Sequence, residues 1–158
     1  MKKLLPLGIG LIMVAAGAVF AADTKLVEMT PDSMKWADIP NSPGLKQVVL
    51  MGDPRERGPY IERLKIPANT MIPAHTHPEA ENVTVISGTL GLGLGEKADK
   101  TKAKEFPAGS FLFVPANTPH FALTGAQEVV IQIHGMGPAG MNIIDSAATG
   151  SSTKPENK

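Results

Sequence analysis

The chain has 158 residues, with 15 Lys and Arg against 15 Asp and Glu, and it has no cysteine. Its length suits one domain, and its 42% hydrophobic content suits a packed core rather than a disordered chain. Balanced charge offers no concentrated positive surface for nucleic acid, and the lack of cysteine excludes both disulfides and lipid attachment through an N-terminal cysteine.

At the N-terminus Lys2 and Lys3 precede the apolar run Leu4 to Phe20, which ends in Val19-Phe20-Ala21-Ala22. This is the pattern of a secretory signal peptide, residues 1–21, cut after Ala21. The run is short for a spanning helix and contains Pro6, Gly8 and Gly10, so no membrane association is expected once it is removed. The expected location is the periplasm, or the exterior of a cell with one membrane. Residues 22–44 read as an N-terminal arm, interrupted by Pro31, Pro40 and Pro43, with Trp36 packing against the domain that follows.

The domain, 45–145, consists of short β-prone runs separated by Gly, Pro and Asn: 46–51, 60–66, 82–87, 90–95, 110–114, 120–124, 128–134 and 141–144. Regular short strands of this kind predict an all-β sandwich or barrel. Residues 96–104, polar and lysine-rich, read as a helical turn or a solvated loop. The tail, 146–158, has almost nothing to bury and reads as disordered. The histidine pattern occurs once, which predicts one barrel.

Residues 73–88 read P-A-H-T-H-P-E-A-E-N-V-T-V-I-S-G. On an extended segment His75 and His77 leave the same face, and Pro78 keeps His77 out of the helical region. A turn at 78–80 then starts a strand at Glu81, with Val83 and Val85 on the same face as the carboxylate. In the second segment, Pro115 ends one strand and His120 re-enters the sheet just after Pro119, with Asn117 suited to a left-handed turn. Three imidazoles and one carboxylate form an N3O set suited to Mn, Fe, Co, Ni, Cu or Zn and poorly suited to Ca or Mg. Glu79 competes with Glu81 for the carboxylate position, and spacing to Gly88 favours Glu81.

These segments resemble the two motifs of the cupin family. The first is His75-x-His77, three residues, Glu81, six residues, Gly88; the second is Gly109, five residues, Pro115 and then His120. The resemblance implies a conserved β-barrel, a jelly-roll-like double-stranded β-helix. It also implies one divalent transition metal on His75, His77, Glu81 and His120, and frequent homodimers. Asn117 and Thr124 stand where glycine and asparagine are common in the second motif.

Among the remaining polar residues, Gln132 and His134 share a face of their strand. They are candidates for an interior hydrogen-bonding or proton-transfer pair, the catalytic positions of this reading, and the alternative is an outer face or a subunit contact. Arg63, near Tyr60 and Glu62, reads as a surface charge. Met51, Met71, Met136 and Met141 lack clustered thioether spacing and are assigned to packing, with Met71 as a pocket lining. The alternation of Gly91, Gly93 and Gly95 reads as close packing against a neighbouring strand. Two functions follow: a metal-dependent enzyme acting on a small oxygen-rich molecule by lyase, isomerase or dioxygenase chemistry, or a module that binds or senses metal or a small ligand without turnover.

Overall fold

Eleven strands form among residues 26–144, which are the residues described by the computed structural model. In chain order they are β1 (Ala37–Asp38), β2 (Lys46–Met51), β3 (Gly58–Ile66), β4 (Met71–Thr76), β5 (Glu81–Ser87), β6 (Thr89–Leu94), β7 (Lys104–Pro107), β8 (Phe111–Val114), β9 (His120–Thr124), β10 (Val129–Gly137) and β11 (Asn142–Ile143). The expected signal segment and the expected disordered tail lie outside the described residues. Within them, helical structure is confined to two 3-10 turns, Pro31–Ser33 and Lys100–Lys102. The second turn falls inside the lysine-rich segment expected to hold a turn or loop, where the Asp99 side chain accepts a hydrogen bond from the Thr101 amide.

The strands make two antiparallel sheets, one of six in the order β1-β2-β3-β10-β5-β8 and one of five in the order β11-β4-β9-β6-β7. From β3 onward the chain repeatedly crosses between the sheets, so that β4 and β9 of one sheet face β3, β5 and β10 of the other. The all-β barrel expected from the sequence is therefore the observed architecture.

Its core is built by the inward phase of each alternating strand. Val83 and Val85 on β5, Ile131 and Ile133 on β10, Leu112 on β8, and Tyr60 and Ile66 on β3 are all buried and meet Leu90 and Ala122 of the opposite sheet. Each fully buried aliphatic or aromatic side chain contributes about 1.5–3 kcal/mol. Phe121 is completely buried, and a methyl group added at Gly93 would collide with its ring. At Gly91 an added Cβ would lie 2.7 Å from Leu123. At Gly91 and Gly93 the alternation is thus a packing requirement, as its spacing suggests, whereas Gly95 follows β6 at φ 125° with open space where a Cβ would lie.

The structure departs from the sequence reading at several places. β4, which carries His75, contains Pro73, and its pairing with β9 shifts register between Ile72 and His75. A proline is tolerated there because the ladder is already interrupted, and that interruption hides the strand from a propensity reading. Met51, Met136 and Met141 are exposed rather than packed: Met51 ends β2, Met136 lies next to the last residue of β10, and Met141 sits in the loop just before β11. Trp36 does pack as expected, half-buried on the outer face of the six-stranded sheet with Lys65 Nζ 4.6 Å from its ring centre.

Candidate metal centre

His75 and His120 are direct neighbours across the β4–β9 ladder, so both imidazoles leave the same row of one sheet. His77 follows two residues after His75, just past the end of β4. The Asn117 amide donates to the His77 carbonyl at 2.8 Å, and Asn117 has φ 58°, so the left-handed turn expected from the second motif is also what ties that motif to the first. The three rings gather with centroids 4.2 to 5.3 Å apart. One ligand atom from each lies within 4.8 Å of the others.

Which nitrogen each ring presents follows from its second hydrogen bond. The Nδ1 atoms of His75, His77 and His120 lie 2.7, 2.7 and 2.9 Å from the carbonyls of Pro73, Gly140 and Thr118. A carbonyl can only accept, so each Nδ1 carries the proton and each Nε2 presents a lone pair. Burial pushes all three imidazoles below the ordinary histidine range, His75 to about 4, which keeps them neutral at physiological pH. Three neutral lone pairs gathered in a poorly solvated place repel one another, and a cation relieves that repulsion. Three histidines are positioned to bind a metal ion.

Glu81 begins β5 in the opposite sheet, and its Oε2 stands 3.5 Å from His77 Nε2. Burial drives its carboxyl up to about 7, against a partial lowering by His120. Glu79, the competing carboxylate, is exposed on the turn. A narrow opening beside His77 and Glu81 is lined also by Tyr60, Met136 and Gly140.

Gln132 and His134 are not part of this arrangement, which corrects the expectation that they could face the metal. Ile131 and Ile133 take the inward phase of β10, leaving Gln132 and the exposed His134 on the outer face. There Arg63 Nε donates to Gln132 Oε1 at 2.9 Å, and Gln132 Nε2 lies 2.8 Å from His134 Nε2. The interior polar groups that sequence reasoning passed over are Tyr60 and Glu62 on β3, both buried. The available signal was strand phase: Tyr60, Glu62, Leu64 and Ile66 alternate with Ile61, Arg63 and Lys65, which puts a glutamate in an otherwise apolar inward row.

Comparison with known proteins agrees with the fold. Residues 24–139 match the family described as the ChrR Cupin-like domain. Germin-like protein 9-2 of Oryza sativa subsp. japonica is 25% identical over 113 residues, covering 70% of this chain and 53% of that protein. The chain thus spans about half the length of this curated relative. Among solved structures, the polyketide cyclase RemF from Streptomyces resistomycificus superposes with a TM-score of 0.64 at 18% identity, over 77% of this chain and 87% of that one. An RmlC-like cupin from Shewanella frigidimarina superposes with a TM-score of 0.56 at 17% identity, over 70% and 90%.

Proposed function

The chain belongs to the ChrR Cupin-like domain family, and from this premise we propose that it is a metal-dependent enzyme in which His75, His77, His120 and Glu81 hold one divalent transition ion beside a small oxygen-bearing substrate. The observation that carries the reading is the convergence of three Nε2 atoms whose Nδ1–H groups are each committed to a backbone carbonyl. Glu81 completes the set in this reading, because a buried carboxyl beside His77 is relieved by the same cation. The resulting N3O donors suit Mn, Fe, Co, Ni, Cu or Zn. When bound, the ion polarises a coordinated oxygen as a Lewis acid and, if redox-active, supports dioxygen chemistry.

The chain's own residues supply orientation and seclusion. The carbonyls of Pro73, Gly140 and Thr118 lock the three imidazole tautomers, and the apolar rows of β5, β8 and β10 keep water from the inner side of the site. Superposition on RemF, itself a polyketide cyclase, supports a small-molecule substrate.

Metal analysis of the purified full-length protein tests the site: one equivalent of a transition ion is expected, with His75→Ala and His120→Ala losing it. A protein that neither contains nor takes up such an ion would overturn the reading. Turnover of diketones, catechols, oxalate or sugar acids that disappears in His75→Ala supports the enzyme. The narrow opening over His77 and Glu81 favours a second reading, a module that captures metal or a small ligand without turnover. Tight metal binding with no product across that panel would establish the module instead.

The Lys2-Lys3 and Leu4 to Phe20 pattern supports export to the periplasm or exterior. Exposed Phe111 and Phe113 on the sheet-edge strand β8 support a homodimer.

A further inference from the structure

Glu62 is the one acidic side chain in the inward row of β3, and only 8% of its surface is exposed. Across the sheet it aligns with Ile133 of β10 and Val83 of β5, while Tyr60, two residues earlier, aligns with Gly135. Gly135 has no side chain to fill its place in that row. A Cβ there would lie 2.6 Å from the Tyr60 hydroxyl oxygen, so the ring lies over the glycine, in the row that leads to Glu81. Tyr60 lines the opening beside His77 and Glu81, and Glu62 continues its inward row close enough to Glu81 to feel that charge.

The Glu62 carboxylate makes no hydrogen bond or ion pair with any described residue. No fully enclosed side-chain polar atom in the described structure lacks a partner, so the unpartnered Glu62 carboxylate keeps a small contact with solvent. No basic residue offsets the Glu62 charge from the inward rows around it. Arg63 and Lys65 occupy the outward phase of β3, and among the described residues no Lys or Arg lies in the inward rows of β3, β5, β8 or β10. Burial and the neighbouring Glu81 raise the Glu62 carboxyl to about 7. A buried, unpartnered carboxylate requires a donor, and an oxygen-rich ligand offers one through O–H.

Taking the metal centre above as its basis, we propose that Glu62, with Tyr60 beside it, is a specificity-determining residue that accepts a hydrogen bond from a hydroxyl of a metal-bound chelator and selects hydroxyl-bearing ligands over dianionic ones. An ion of charge +2 is balanced by Glu81 and Glu62. A catechol-like or hydroxyketone-like ligand leaves that balance nearly intact and satisfies the carboxylate, whereas a dicarboxylate adds two negative charges in a poorly solvated space.

The test uses the full-length protein loaded with cobalt(II), with binding of catechol and of oxalate followed by the cobalt absorption bands. Glu62→Gln is expected to retain cobalt at wild-type stoichiometry, while the ratio of catechol to oxalate affinity falls about tenfold, the scale of one hydrogen bond to a charged group. Tyr60→Phe, which keeps the ring over Gly135, is expected to weaken catechol severalfold without loss of cobalt. An unchanged affinity ratio in Glu62→Gln would overturn the proposal, and so would loss of cobalt from that variant, because Glu62 would then be a metal ligand. Failure of the wild type to bind cobalt would instead overturn the metal centre itself.

Discussion

At the site each histidine has two tasks divided between its two nitrogens: Nδ1 holds the ring to a backbone carbonyl and Nε2 is left for the ion. Removing one imbalances the set, so His120→Ala is expected to lower metal affinity at least about 100-fold, read by competition with a chromophoric chelator. The pH behaviour of the metal-free protein is set by groups that pull in opposite directions. Glu62 and Glu81 sit near 7 instead of the ordinary 4.5, so the stability they permit is full below about 4.5 and is lost as pH rises through 7. His75 sits near 4 instead of 6.5, so its contribution is present above 6.5 and is lost as pH falls toward 4. Replacing Glu62 by Gln should therefore stabilise the chelator-treated protein at pH 8 by about 1–3 kcal/mol and leave it nearly unchanged at pH 4.5. Denaturant melts at the two pH values measure this, and equal effects at both would show that Glu62 is not held in a desolvated place.

Among the elements, β6 and β9 show how closely the five-stranded sheet is packed. Gly93→Val places two methyl groups where the Phe121 ring already lies and is expected to destabilise the fold by about 2–3 kcal/mol. At the far end of β9, Thr124 is buried; its hydroxyl donates to the Pro67 carbonyl at 2.6 Å and accepts from the Thr70 amide at 2.9 Å. The threonine that departs from the usual second motif thus ties β9 to the loop before β4. Thr124→Ala is expected to cost about 1–3 kcal/mol through the carbonyl and amide left unpaired, a loss that Thr124→Ser should largely restore in thermal melts. Strand boundaries on β2 and β9 agree with the sequence reading because Gly and Pro flank alternating runs on both. β4 escaped that reading because Pro73 and a register shift break its pattern, although the histidines it carries were legible from their spacing alone.

For the molecule as a whole, the outer face of the six-stranded sheet divides into a covered part and an open part. The N-terminal arm covers β2 and β3, with Met34 Sδ accepting from Arg63 and Trp36 over Lys65. At the other edge Phe111 and Phe113 are 62% and 58% exposed, with Ile86 beside them on β5. If two copies pair through this edge, the Phe111→Ser/Phe113→Ser double variant should sediment as a monomer while keeping its metal. A wild type that is already monomeric at high concentration would exclude the pairing.

The amino-acid sequence by itself determined the all-β class, the single barrel and the grouping of His75, His77 and His120. Those features rest on local chemistry: strand phase, proline-bounded turns and the spacing of imidazoles along extended chain. Only the tertiary structure decided which interior groups join them. Whether Gln132 and His134 or Tyr60 and Glu62 face the barrel interior depends on the inward phase of β10 and β3, and a slip of one residue exchanges the two faces of a strand. Likewise the Gly140 carbonyl that fixes His77 arrives from 63 residues away, a partner that no local pattern reveals.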